Sequence, residues 1–129
     1  MGLNVLVTDD SATMRAMIAK TLQMSGLPVT ELHEASNGKE GLEVLDKQWI
    51  DVVLVDINMP VMDGMEMIDR IRAHPNLSKT PIVVVSTESS ETRIREIQEK
   101  GVAFIHKPFT PEAVRDVLVK LLGVQNAGN

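Results

Sequence analysis

The stretch VVLVDINMPVMDG at residues 52–64 decides the fold of this chain. It opens with Val52–Val55, and a short, uninterrupted apolar run is typical of a strand that is covered on both faces. The polar Asp56 follows directly, and a helical pattern with apolar residues such as Ile68 then starts at Gly64. The stretch therefore predicts a buried parallel strand, a loop, and a helix that crosses back over the sheet.

The same alternation of strand and helix extends in both directions along the chain. Five strands are predicted, at Leu3–Thr8, Val29–Ala35, Val52–Val55, Ile82–Ser86 and Val102–His106. A helix follows each strand. Ser11, Ser89 or Ser90, and Thr110 are predicted N-caps, and the pairs Asn37-Gly38 and Asp63-Gly64 lead into the second and third helices. Apolar spacing places Met17 in the packed stripe of the first helix, Trp49 in that of the second and Leu121 in that of the last.

The composition of the strands predicts their order. The second strand is polar and the fifth alternates, so both belong at edges, whereas the three continuous apolar strands belong in the middle. The order 2-1-3-4-5 satisfies this and keeps the crossovers right-handed. We therefore predict an α/β fold with a five-stranded parallel sheet, doubly wound with helices on both faces, in the flavodoxin-like order. Residues 1–124 form this one domain, and residues 125–129 are predicted to be a disordered tail.

Composition excludes several classes of protein. The net charge of −5 argues against a general nucleic-acid binder, and no stretch approaches the roughly 18 apolar residues of a membrane span. The chain has no cysteine, so it has neither disulfides nor thiolate metal sites. A strand pattern begins at Leu3, which leaves no room for a signal peptide, and a cytoplasmic location is expected.

Reactive side chains follow four of the predicted strands. Asp9 and Asp10 follow the first strand, Asp56 follows the third, Ser86 ends the fourth and Lys107 follows the fifth. Because the carboxyl ends of parallel strands share one edge of a sheet, we expect these groups to lie together. The predicted strand order places its switch point between the first and third strands, where α/β sheets bind ligands.

Three neighbouring carboxylates need compensation, because two like charges about 4 Å apart repel by roughly 4 kcal/mol at an effective dielectric of 20. Mg²⁺ suits such a site, since it binds carboxylate oxygens, keeps several waters and accepts a phosphate oxygen. We expect Asp10 and Asp56 as direct ligands, Asp9 as a ligand through water, and a backbone carbonyl near Asn58 as a further ligand.

The position of Asp56 also fits a covalent role. A carboxylate can attack phosphorus and form an aspartyl phosphate. The transferred phosphoryl group carries negative charge on its equatorial oxygens. The metal, the Lys107 ammonium and the Ser86 hydroxyl would each hold one of these oxygens, because the ion reverses the field of the acidic pocket.

These motifs together resemble the signature of two-component response-regulator receiver domains. The resemblance extends from Leu3 to about Leu122 and is greatest to the stand-alone chemotaxis regulators of that family. Single motifs are weak signals, but their order along the chain is highly specific. They are Asp9-Asp10-Ser11, Asp56 with Met59-Pro60 and Asp63-Gly64, Ser86, and Lys107-Pro108-Phe109.

The resemblance implies a signalling phosphoacceptor, one that catalyses only its own phosphorylation and dephosphorylation. A histidine kinase donates the phosphoryl group to Asp56 with Mg²⁺. Ser86 then moves toward the phosphoryl group, and Phe104 turns inward. The surface of the fourth helix, fifth strand and fifth helix changes and binds a target such as a flagellar motor switch component.

The resemblance also has implications for the lifetime of the phosphoryl group and for the oligomeric state. In the family, the positions of Asn58 and Glu88 tune dephosphorylation, and a phosphatase is a possible further partner. The Lys107–Pro108 bond is expected to be cis, and the protein is expected to be a monomer. Phe104 replaces the tyrosine often found at the switch position, so no hydroxyl is available there for target contacts.

Other interpretations stay open at this point. Phe104 fits a half-buried edge residue as well as a switch. A single-domain phosphorelay intermediate has the same site. A flavodoxin-like electron carrier shares the strand order, although a loop rich in Gly, Ser or Thr would then replace Asp9-Asp10. A dehalogenase-type phosphatase also uses an Asp nucleophile and Mg²⁺, but it needs a longer chain.

Overall fold

One parallel sheet organises the fold. The computed structural model describes residues 2–123, and its five strands lie in the order β2-β1-β3-β4-β5. The predicted fold class and strand order are therefore confirmed, whereas the predicted tail at 125–129 lies outside the described residues. The strands are β1 (Leu3–Thr8), β2 (Val29–Ala35), β3 (Val52–Val55), β4 (Ile82–Ser86) and β5 (Ala103–His106).

Five helices follow the strands, and side-chain caps fix their starts. They are α1 (Ala12–Met24), α2 (Gly38–Lys47), α3 (Gly64–Ala73), α4 (Glu91–Gln98) and α5 (Pro111–Leu122). Each cap accepts a hydrogen bond from an N–H in the first turn of its helix, and such a cap contributes typically about 1 kcal/mol. The cap residues are Ser11, Asn37, Asp63, Ser90 and Thr110, and all of them lie at the predicted helix starts. None of the helices between residues 2 and 123 combines the length and apolar character that a membrane crossing needs.

Apolar side chains cover both faces of the sheet. On one face, Leu6 and Val53 pack with residues of α2, α3 and α4 such as Ile68. On the other face, Val5 packs with residues of α1 and α5 such as Leu118. Because β1, β3 and β4 are covered on both sides, their strand positions are fixed by burial in the core.

The register of the strands aligns their carboxyl ends. Thr8 pairs with Val55 across β1 and β3, and the N–H of Asp56 donates to the Thr8 carbonyl at 3.0 Å. Ser86 pairs with His106 across β4 and β5. The residue after each strand therefore emerges at the same edge of the sheet.

Three apolar positions are exposed where the periodicity predicted packing. Trp49 lies beyond α2 and is 77% exposed, because the helix ends at Lys47 and its repeat does not continue. Met17 is 53% and Leu121 is 37% exposed, because the fully covered stripe of each helix is narrower than the apolar pattern. The predicted packing of these three side chains is therefore wrong.

Candidate functional site

Three carboxylates converge at the carboxyl edge of the sheet. Oxygen atoms of Asp9, Asp10 and Asp56 all lie within 4.8 Å of one another. Asp9 is only 2% exposed, Asp56 is half-buried and Asp10 is exposed. The structure thus brings together the three predicted acids, and carboxylate oxygens at this spacing are suitable ligands for a hard divalent cation.

Lys107 balances part of this negative charge. Its Nζ lies 3.4 Å from Asp9 Oδ2 and 3.7 Å from Asp56 Oδ2, and its side chain is 13% exposed. The residue follows β5 directly, and its N–H donates to the Ser86 carbonyl at 2.8 Å. The Lys107–Pro108 bond is cis, as expected. A largely covered ammonium close to two carboxylates is well placed to hold a further anionic oxygen.

Opposing effects of its neighbours determine the pKa of the Asp56 carboxyl. Burial raises the pKa of the Asp56 carboxyl, while the Lys107 ammonium and the Ile57 N–H oppose that rise. The charges of Asp9 and Asp10 add to the increase in pKa. Asp56 Oδ1 accepts a hydrogen bond from the Ile57 N–H at 2.8 Å. The ionised carboxylate is therefore less stable here than in water, and an added cation would stabilise it.

Ser86 is linked to the start of α4 rather than to the acids. The side chain is buried at the end of β4, and its Oγ accepts a hydrogen bond from the Glu88 N–H at 3.1 Å. The Glu88 carboxylate in turn accepts from the N–H of Ser90, the cap of α4, at 3.0 Å. Because the Ser86 oxygen acts as an acceptor in this bond, its own O–H can donate to another group.

The remaining predicted residues flank the site. Asn58 is exposed in the loop that follows Asp56. Phe104 is half-buried on β5, pairs with Val84, and packs against the core cluster on the α4 side of the sheet. This position fits both interpretations of Phe104, as an edge residue and as a switch.

Gly64 is a site determinant that our sequence reasoning treated only as part of a motif. Its N–H donates to the Ile57 carbonyl at 2.8 Å, and a Cβ at this position would collide with the backbone carbonyl of Asp56. The first turn of α3 therefore lies directly against the backbone of Asp56. The Asp63-Gly64 pair is the sequence signal for this close approach.

Comparison with known proteins gives the family. The model of the response regulator receiver domain family matches residues 5–119. The chain belongs to this family.

Two curated relatives of this receiver domain are chemotaxis proteins of similar length. It is 36% identical over 123 residues to a CheY homolog of Campylobacter jejuni, covering 94% of this chain and 93% of that protein. It is 36% identical over 126 residues to CheY1 of Helicobacter pylori, covering 96% of this chain and all of that protein. It also matches the sensor histidine kinase CheAY of Helicobacter pylori at 37% identity, over 16% of that protein.

A solved structure agrees with this result. CheY4 of Vibrio cholerae superposes with a TM-score of 0.82 at 35% identity, covering 95% of this chain and all of that one. The chain is thus a receiver of the CheY type, a signalling phosphoacceptor. Family membership favours this class over the electron carrier and the dehalogenase-type phosphatase.

The raised pKa of Asp56 predicts a pH-dependent cost to stability. A carboxyl whose pKa is higher in the folded than in the unfolded state stabilises the fold at low pH, and this contribution is lost as pH rises through the folded pKa. In metal-free protein, Asp56→Asn should therefore raise the free energy of unfolding at neutral pH. The gain should shrink on acidification toward the ordinary Asp pKa of about 4.

Urea unfolding in the presence of a chelator, measured from neutral pH downward, tests this dependence. Asp46→Asn on the exposed face of α2 is the matched control, and it should show no comparable gain. A gain for Asp56→Asn that is constant with pH would contradict the assigned cause.

Proposed function

We propose that this receiver domain accepts a phosphoryl group from a histidine kinase on Asp56, with Mg²⁺, and that phosphorylation changes its α4, β5 and α5 surface to control a chemotaxis or motility target. The convergence of three carboxylates and the Lys107 ammonium around one edge of the sheet carries this proposal. Similarity to CheY proteins over nearly the whole chain supports the chemotaxis assignment.

The donor set suits Mg²⁺. Asp10 and Asp56 would bind the ion directly, Asp9 through water, and the Asn58 backbone carbonyl would complete the protein ligands. All are hard oxygen donors, and the carboxylate oxygens lie close enough to share one ion. Bound Mg²⁺ supplies positive charge that neutralises the phosphoryl oxygens during transfer.

The residues of the chain then perform the transfer. The Asp56 carboxylate attacks the phosphorus of the donor phosphohistidine, so that an O–P bond forms as the P–N bond breaks and the electron pair returns to the imidazole, which takes up a proton. The Lys107 ammonium, now close to Asp9 and Asp56, pairs with one phosphoryl oxygen. The Ser86 hydroxyl donates to another. Dephosphorylation is attack by water at the same phosphorus: a new O–P bond forms as the bond between phosphorus and the Asp56 carboxylate breaks, inorganic phosphate leaves, and the carboxylate is regenerated. We expect Asn58 and Glu88 to tune the rate of this step.

The contacts of Ser86 support a route from Asp56 to the surface. Movement of Ser86 toward the phosphoryl group shifts Glu88, whose N–H donates to the Ser86 hydroxyl, and Glu88 in turn holds the N–H of Ser90 at the start of α4. Ile97 is the only fully buried side chain of α4, so this helix is weakly held. Phe104 moves inward as α4 shifts, and a target that binds the shifted surface selects that state.

The partners follow from the same assignment. The phosphodonor is a histidine kinase, a choice supported by the match to CheAY. The target is a protein such as a flagellar motor switch component, and a phosphatase is a further candidate partner. We propose that the protein acts as a cytoplasmic monomer and binds neither nucleic acid nor membrane.

Phosphorylation by a small donor tests the proposal without knowledge of the kinase. Incubation with acetyl phosphate and Mg²⁺ should add about 80 Da, one phosphoryl group, to the intact mass. Because Mg²⁺ neutralises the site, EDTA should prevent the addition. Absence of the adduct with Mg²⁺, or an equal adduct with EDTA, would contradict the proposed function.

A further inference from the structure

Of the three clustered carboxylates, that of Asp10 has the fewest hydrogen bonds to hold it in place. Asp9 accepts hydrogen bonds from the Ser11 N–H and the Lys107 ammonium, and Asp56 accepts one from the Ile57 N–H. Within residues 2–123, no hydrogen bond or ion pair holds the exposed Asp10 carboxylate. Its place in the cluster therefore depends on the backbone from which it projects.

Arg15, in the first turns of α1, holds that backbone. Its Nη1 donates to the Asp9 carbonyl oxygen at 2.6 Å, and its Nε donates to Glu34 Oε1 at 2.8 Å. This carbonyl belongs to the peptide unit that joins Asp9 to Asp10. The Arg15 side chain is 17% exposed, so the guanidinium is largely packed between the end of β1 and the edge strand β2.

We infer that Arg15 is a positioning residue for the cation site, an inference that rests on the proposed function. By fixing the peptide unit between Asp9 and Asp10, Arg15 sets the direction in which the Asp10 carboxylate leaves the backbone. Mg²⁺ requires nearly ideal octahedral geometry with ligand distances of about 2 Å, so small errors in this direction weaken binding. Glu34 in turn fixes the guanidinium by binding its Nε.

A purely electrostatic role for Arg15 gives the opposite expectation. The guanidinium is a positive charge close to a cation site, and its removal would by itself strengthen Mg²⁺ binding. If Arg15 formed only a surface ion pair between α1 and β2, its removal would leave the Mg²⁺ affinity unchanged. Only the positioning role makes the loss of this positive charge weaken cation binding.

Calorimetric titration of the whole chain with MgCl₂ separates these roles. Arg15→Gln should weaken Mg²⁺ binding about tenfold, the lower end of the range for residues that orient metal ligands. Arg15→Lys keeps the charge but lacks the forked geometry, and it should bind several-fold more weakly than wild type. Melting curves in EDTA establish that both variants are folded.

Arg70→Gln is the matched control, because it removes the same charge from the exposed Arg70–Glu66 pair on α3. It should bind Mg²⁺ like wild type. Wild-type or tighter binding in Arg15→Gln, wild-type binding in Arg15→Lys, or an equal loss in Arg70→Gln would each overturn the positioning role. A wild-type chain that binds no Mg²⁺ would instead overturn the proposed function, so the two failures are distinguishable.

Discussion

Asp56→Asn should abolish phosphorylation by acetyl phosphate. An amide is a far weaker nucleophile than a carboxylate, and the substitution removes one of the three acids at the cation site. The backbone should be preserved, because the amide oxygen can still accept from the Ile57 N–H that now binds Oδ1. Intact-mass measurement after incubation with acetyl phosphate and Mg²⁺ should therefore show no gain of about 80 Da.

Two other Asp→Asn variants serve as controls for this loss. Asp9→Asn weakens the cation site without removing the acceptor, and Asp63→Asn changes only the cap of α3, since Asn caps about as well as Asp. Both should keep the adduct, with a reduced level expected for Asp9→Asn because it weakens the cation site. A full adduct in Asp56→Asn would assign the acceptor to another residue.

The positions of Asp9 and Asp56 could be predicted because parallel topology makes the end of each strand informative. Once the apolar runs are assigned to adjacent strands, the residues that follow them must emerge at one edge. The hydrogen bond from the Asp56 N–H to the Thr8 carbonyl shows that the ends of β1 and β3 lie side by side. Residue types then identified the chemistry, since carboxylates beside a lysine at such an edge favour a cation and an anion together.

Hydrogen bonds from arginine side chains to backbone carbonyls could not be predicted in this way. Arg72 on α3 donates to four backbone carbonyls in two other loops, which belong to Ser78, Thr80, Lys100 and Gly101. An arginine in a helical pattern gives no sign of this, because the acceptors are backbone atoms whose positions depend on the finished fold. The contact of Arg15 with the Asp9 carbonyl escaped prediction for the same reason.

The burial of side chains at helix ends and strand ends was also difficult to predict from the sequence. The Trp49 indole N–H donates to Asp51 at 3.0 Å, and the ring lies outside the core. Because α2 ends at Lys47, its apolar repeat stops before Trp49, and the apolar spacing alone does not mark that end. Thr8 shows a similar limit, since its hydroxyl is buried with no hydrogen-bond partner among residues 2–123. Apolar periodicity carries no information on such a hydroxyl.

Lys107→Ala should separate phosphorylation from switching. The variant should still gain a phosphoryl group on Asp56, but roughly 100-fold more slowly, because one charged donor to the developing oxygens is lost. The response at α4, β5 and α5 should also be lost, because no ammonium then draws the end of β5 toward the phosphoryl group. Amide NMR shifts before and after phosphorylation measure both effects, since residues beside Asp56 and those in α4 report separately.

Lys47→Ala on the exposed end of α2 is the matched control, and it should both phosphorylate and switch like wild type. The distances make the comparison informative, because the Lys107 ammonium lies within 4 Å of both Asp9 and Asp56, whereas Lys47 is at the far end of a surface helix. If phosphorylated Lys107→Ala shows the wild-type shifts in α4 and β5, coupling does not pass through Lys107. The Ser86–Glu88 hydrogen bond would then be the remaining link between Asp56 and the surface.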